Sequence, residues 1–128
     1  MNAGLRDFES RIGVDHIELH AQRWRDLSKQ RAPLHAVYGP GGTFDAQRKA
    51  NLSTIKMEIR AEATLSGSKL TVDEIDSMAH ADDRYVEFIT KAVQDRTKLA
   101  EIEDEMKTLE WVINREQALI RAYSSEPR

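Results

Sequence analysis

From Asp83 to Tyr123 the chain contains neither glycine nor proline. No other feature constrains the fold as strongly, because an uninterrupted run of this length predicts one continuous helix. Tyr85, Ile89, Ala92, Leu99, Ile102, Met106, Leu109, Ile113, Ile120 and Tyr123 recur at alternating steps near three and four, which places them on one face. Arg96 and Glu116 take two slots in that series, and the step from Leu99 to Ile102 is one residue short. The pattern is a coiled-coil-like seam with a local irregularity and not a strict heptad. At about 1.5 Å per residue the helix is roughly 60 Å long. The expected fold is all-α: short N-terminal helices packed on one long C-terminal coiled-coil-like helix, within an oligomeric helical assembly. Ile89, Leu99, Ile102, Met106, Leu109, Ile113 and Ile120 are the expected oligomerisation residues.

The preceding chain supplies the shorter helices. Residues 3–12 form a short helix interrupted by Gly13. Asp15 is a suitable N-cap, and Ile17, Ala21, Trp24 and Leu27 (or Ser28) make an apolar stripe to about Gln30. Pro33 ends this helix, since the residue before a proline is pushed out of the α region. Leu34–Gly42 reads as a loop by its turn chemistry. Thr43 caps a second helix lined by Leu52, Ile55, Ile59 and Ala63, which Ser66-Gly67-Ser68 stops. Thr71-Val-Asp-Glu74 is a capping box with Leu70 and Ile75 as its hydrophobic staple, starting a helix from Val72 to about Met78. Asp82 caps again. The chain is a single domain with two segments: residues 1–42, a helical stretch with a Gly/Pro loop, and residues 43–128, the helical core.

Composition narrows the chemistry. The 128 residues fit one domain, 40% hydrophobic and 32% charged, too apolar for a disordered chain. There is no cysteine, which excludes disulfides, thiolate nucleophiles and Cys-ligated metal, and fits a reducing cytosol. The N-terminus has no apolar signal region and no 18-residue apolar run occurs, so neither secretion nor a membrane partner is expected.

No residue pattern asks for catalysis, and no catalytic residue, metal or cofactor is expected. His16 and His20 stand four apart on a helix, but His-Ile-Glu-Leu-His is not the zinc-protease order and no third ligand is evident. Tyr38-Gly-Pro-Gly-Gly-Thr43 precedes a helix whose N–H groups could cradle a phosphate, yet it lacks the Gly-Lys-Ser/Thr of a P-loop. The pairs Asp82-Asp83 and Asp104-Glu105 fall on cap or helix-surface positions, without the burial an acid–base couple needs.

Charge is unevenly spread. Residues 1–69 carry eleven Lys/Arg against eight Asp/Glu, whereas residues 70–128 carry eight against fourteen. Within residues 20–60 the balance is +5, from Arg23, Arg25, Lys29, Arg31, Arg48, Lys49, Lys56 and Arg60 against Asp26, Asp45 and Glu58. Trp24, Tyr38 and Phe44 interleave with these cations. Single strands are bound by cationic grooves with aromatic faces on which bases stack. The alternative is that Trp24 and Phe44 belong to the core while the cations face solvent, or that oppositely charged halves attract one another across subunits.

A resemblance sharpens the first reading. Ile55-Lys-Met-Glu-Ile-Arg60-Ala-Glu-Ala-Thr-Leu-Ser-Gly67-Ser-Lys69 is a basic helix ending in a small Ser-Gly loop. A capped helix follows in Leu70-Thr-Val-Asp-Glu-Ile75, then an acidic step into an aromatic, Asp82-Asp-Arg-Tyr85. The long helix closes with Ile113-Asn-Arg115-Glu-Gln-Ala-Leu-Ile120. Over Gln47–Arg121 this order resembles the UvsY family, the recombination mediator proteins of bacteriophages. The resemblance implies a protein that binds single-stranded DNA, self-assembles, and helps load a RecA-like recombinase onto strands coated by single-strand-binding protein. It also implies the cytoplasm of a bacterial host of a phage or prophage. By matching position, Lys56 and Arg60 contact DNA phosphates, with Lys69 as a third candidate. The family's aromatics before Ser-Gly are here Ala63, Thr64 and Leu65, which shifts base stacking to Trp24 and Tyr38. The full expected DNA-binding set is Lys56, Arg60, Lys69, Arg48, Lys49, Arg23, Arg25, Trp24 and Tyr38. The competing expectation is a non-enzymatic helical adaptor or inhibitor that binds another protein through an apolar patch on the long helix.

Overall fold

A computed structural model describes residues 14–125, and among them there are four α-helices and no strand. They are α1 (Val14–Tyr38), α2 (Phe44–Leu65), α3 (Val72–Ala81) and α4 (Asp83–Ser124). The expected helix over residues 3–12 lies outside the described residues. No helix among those described is long and apolar enough to cross a membrane.

The long helix runs without a break from Asp83 to Ser124. Its seam faces protein: Tyr85, Ala92, Leu99, Ile102 and Met106 are buried. Ile89, Leu109, Ile113, Ile120 and Tyr123 are half-buried. The two polar intruders in the seam both meet something. Arg96 lays its guanidinium 4.3 Å from the Phe44 ring centroid and 5.6 Å from that of Tyr38. Glu116 Oε2 lies 3.6 Å from His20 Nδ1.

The first helix departs most from expectation. It does not stop at Gln30 but continues through Pro33 to Tyr38, so the residues expected as loop at 34–38 are helical. Proline removes the N–H that would bond the carbonyl one turn back and disfavours α backbone in the residue before it. Here Pro33 and Lys29 are both exposed, so water can solvate the carbonyl left without its helical donor. Packing on the apolar side outweighs a local cost of about 3 kcal/mol.

The chain forms two compact units, which divide it differently from the sequence-based split at residue 42. The first joins α1 as far as Pro33 to α4 from Leu99 onward. In it α1 and α4 run antiparallel, because His20 meets Glu116, Trp24 meets Glu110 and Arg31 meets Glu103. Leu27, only 1% exposed, is its most deeply buried side chain, with Leu99, Ile102 and Met106 also buried in this unit. These three seam residues, expected to recruit other protomers, are thus enclosed within the chain. The part of α1 that ends at Pro33 lies along α4 in this unit and covers the seam there.

The second unit, Leu34–Lys98, has its own core of Leu52, Ile55 and Ile59 from α2, Ile75 and Ala79 from α3, and Tyr85 from α4. Leu70 and Ile89 pack against it. Each fully buried aliphatic contributes about 1.5–3 kcal/mol through apolar burial. The turns around this core are chemically specified. Gly67 takes φ +72°, and the N–H groups of Gly67 and Ser68 reach back to the carbonyls of Thr64 (3.3 Å) and Ala63 (2.9 Å) in a Schellman closure. Thr71 Oγ1 accepts from the Glu74 N–H at 3.1 Å, which starts α3, and the helix extends past Met78 because Ala79 is wholly buried. Asp82 Oδ1 accepts the Arg84 N–H at 2.9 Å, starting α4. Thr43 stands at the N-cap of α2, but its hydroxyl caps no backbone group and instead accepts from Gln47 Nε2.

Candidate nucleic-acid interface

The site begins with the register of α2. Arg48, Leu52, Lys56 and Arg60 are four apart, so they form one row along the helix, with Lys49 and Ser53 flanking it. Leu52 turns into the core and anchors the row. The capped α3 then packs on α2 and brings Asp76 and His80, also four apart, to the opposite wall. Together these eight side chains line an open groove of about 410 Å³. From Arg48 to Arg60 the row is roughly 18 Å long, enough to meet more than one phosphate of a strand.

The groove's charges are not all free. Arg48 Nη2 and Lys49 Nζ share Asp45, at 2.8 and 3.0 Å. Hydrogen bonds from Arg48 and then Lys49 hold the Asp45 carboxyl below the usual carboxylate range. Lys56 Nζ lies 2.7 Å from Asp76 Oδ1, and this hydrogen bond is the main cause that lowers the Asp76 carboxyl. His80 Nδ1 is 2.8 Å from the Asp76 carbonyl oxygen, a contact in which the ring N–H donates, and 3.6 Å from the carboxylate. Arg60 is exposed and has no ion-pair partner among the described residues. Four cations against Asp45 and Asp76 leave a local balance of +2 with His80 neutral.

The other expected residues do not join this groove. Arg23 makes a two-point bond to Glu105, through Nε at 3.0 Å and Nη2 at 3.1 Å. Arg25 bonds Glu18 at 2.9 Å, and Arg31 faces Glu103 at 3.9 Å. Trp24 is half-buried and its Nε1–H donates to Glu110 at 3.0 Å. All of these lie in the unit that holds Leu27. Lys69 is exposed just beyond the Ser-Gly turn and does not line the groove. Tyr38 is in the groove's unit but is closed to a base: its hydroxyl donates to Asp95 at 3.0 Å, and its ring is 5.6 Å from Phe44 and beneath Arg96. Burial and then the Asp95 contact push the Tyr38 hydroxyl upward. Phe44 stacks on Phe88 at 5.7 Å. The Tyr38 face expected to stack a base is therefore engaged within the protein, while Trp24 is held by its N–H edge in the other unit. Of the eight cations in residues 20–60, six have a carboxylate within 4 Å, which leaves only Lys29 and Arg60 unpaired among the described residues.

The Gly-Pro-Gly-Gly turn and the His16/His20 pair do not line this groove. In the Gly-Pro-Gly-Gly turn the N–H groups of Gly39, Gly42 and Thr43 bond the carbonyls of His35, Gly39 and Ala36, and Pro40 has none, so these four positions offer no N–H to a phosphate. His20 faces Glu116, and no group of three or more potential metal ligands occurs among the described residues. Asp76 and His80, which shape the groove, were not legible as site residues. Their spacing of four on a capped helix was the only available signal. No family model, curated protein or solved structure matches this chain.

Proposed function

We propose that the protein binds single-stranded DNA through the phosphate backbone, along the groove between α2 and α3. The observation that carries this reading is the gathering of Arg48, Lys49, Lys56 and Arg60 along one groove wall. The sequence likeness to phage recombination mediators over the same residues supports it, and gives the biological setting: a non-enzymatic accessory that self-assembles and assists a RecA-like recombinase on strands coated by single-strand-binding protein. Because the neighbouring aromatic rings are engaged internally, affinity rests on phosphate contacts and is indifferent to base identity. One groove with a balance of +2 is a weak binder, and several copies on one strand raise avidity through effective concentration. Oligo(dT) titrated at low salt, with solution mass measured on the same sample, tests the reading. Binding that falls with salt is expected, and no binding in dilute buffer overturns it.

A second reading, a helical adaptor for another protein, is favoured by Trp111, which is 63% exposed on α4 with Arg115 5.5 Å from its ring. Trp111→Ala leaves DNA binding unchanged under the first reading, whereas the adaptor loses its partner.

A further inference from the structure

We infer that Asp76 is a built-in anion that occupies the phosphate position at Lys56, so that a strand must displace it to engage the whole groove. This inference rests on the DNA-binding reading above and specifies how that same site is restrained.

Three facts meet at this carboxylate. It comes from α3, the wall opposite the cationic row, and so faces the space a ligand would enter. Its Oδ1 is 2.7 Å from Lys56 Nζ, a contact as close as charge-assisted hydrogen bonds become. A phosphate oxygen at Lys56 would take the same position, since an ammonium offers a point charge that either anion can satisfy. The pair is also partly open, with the side chains of Lys56 and Asp76 28% and 49% exposed. Exposed pairs of this kind are weak, so the carboxylate is displaceable and does not lock the site.

His80 lies beside the carboxylate but bonds the backbone. Its ring N–H bonds the backbone oxygen of Asp76 at 2.8 Å, while the carboxylate itself stays 3.6 Å away and directed at Lys56. Arg60, one turn beyond Lys56 on α2, has no such occupant among the described residues. The groove thus has an open cation at one end and a covered one beside it. A strand meets Arg60 first and gains Lys56 only by exchanging one anion for another.

Substituting Asp76→Asn keeps the size of the side chain and removes the resident charge. Lys56 is then free, and the variant binds oligo(dT) about fivefold more tightly at low salt, the equivalent of one exposed ion pair. Its log–log salt dependence steepens by about 0.7, one further counterion released from a single strand. A second variant separates displacement from a general change of field. In a Lys56→Ala background no lysine awaits release, and Asp76→Asn brings less than about a twofold gain, the screened effect of one charge some 8 Å away in water.

The experiment is a double-mutant cycle of Asp76→Asn and Lys56→Ala on the full chain, read by fluorescence anisotropy with labelled oligo(dT) over a salt series. Circular dichroism on each variant checks that the helices persist. A gain confined to the Lys56 background supports the inference. Equal gains in both backgrounds, or none while the parent protein binds, overturn it and leave the DNA-binding reading standing. Absence of binding in every variant overturns both.

Discussion

Arg60→Ala gives the most direct reading of the groove. Along α2 the pair Arg48–Lys49 shares Asp45, Lys56 meets Asp76, and Arg60 meets no carboxylate among the described residues. The net balance is +2, and Arg60 supplies half of it. For a single strand, log affinity falls with log salt by about 0.7 per phosphate neutralised, so the parent slope is about −1.4 and that of Arg60→Ala about −0.7. Between 50 and 200 mM salt the parent's affinity then falls about sevenfold, and the variant's only about 2.6-fold. Arg60 is exposed and lies outside the core cluster, so the substitution leaves the fold intact, which circular dichroism verifies. Anisotropy of labelled oligo(dT) across that salt range measures both slopes. A variant slope equal to the parent's would refute the argument, because it would place the phosphates elsewhere on the molecule.

Three further outcomes test the packing and electrostatics. Ile55→Ala removes a side chain only 2% exposed from the α2–α3–α4 core and costs about 2–5 kcal/mol in denaturant unfolding, whereas Met57→Ala, 64% exposed on the same helix, costs less than about 0.5 kcal/mol. Pro33→Ala restores a helical N–H inside α1 and stabilises by about 2 kcal/mol, the helix-interior cost of proline less the entropy its ring removes from the unfolded chain. An unchanged or lower melting temperature in Pro33→Ala would show that α1 does not run through this position. The Asp82 carboxyl is held low, first by the Arg84 side chain and then by its backbone N–H. A depressed carboxylate contributes stability that is present above the unfolded value, about 3.9, and is lost as pH falls through the folded one. Asp82→Asn keeps a capping side chain but removes the charge, so it is less stable than the parent at pH 6 and converges with it toward pH 2 in acid-unfolding curves.

The helices were legible wherever local chemistry and periodicity agreed. The Gly- and Pro-free run over 83–123 is α4, the staple and threonine cap at 70–75 start α3, and Gly67 closes α2 in the conformation glycine favours. The failure at Pro33 has a definite cause. Proline's penalty is local and fixed, while the segment beyond it is held by long-range contacts such as Tyr38 with Asp95, 57 positions later, which no window around residue 33 contains.

Charge was the less readable property, because a count of cations carries no information about their partners. The +5 over residues 20–60 looked like a surface for polyanions, yet Arg23 and Arg31 answer Glu105 and Glu103 across α1 and α4, more than 70 residues away. Much of the first half's surplus and the second half's deficit is a single set of contacts divided between two stretches of chain. What survives the pairing in the groove is small and local: Arg60, the shared cations at Asp45, and Lys56 opposite Asp76. Whether Lys56 counts as a free cation depends on one carboxylate twenty residues along the chain, brought to it by the turn at Gly67 and the cap at Thr71. The groove's affinity is therefore set by how those two turns orient α3 as much as by the basic residues of α2. A change at Gly67 or Thr71 that shifts α3 by a fraction of a turn is expected to alter binding without touching any cation.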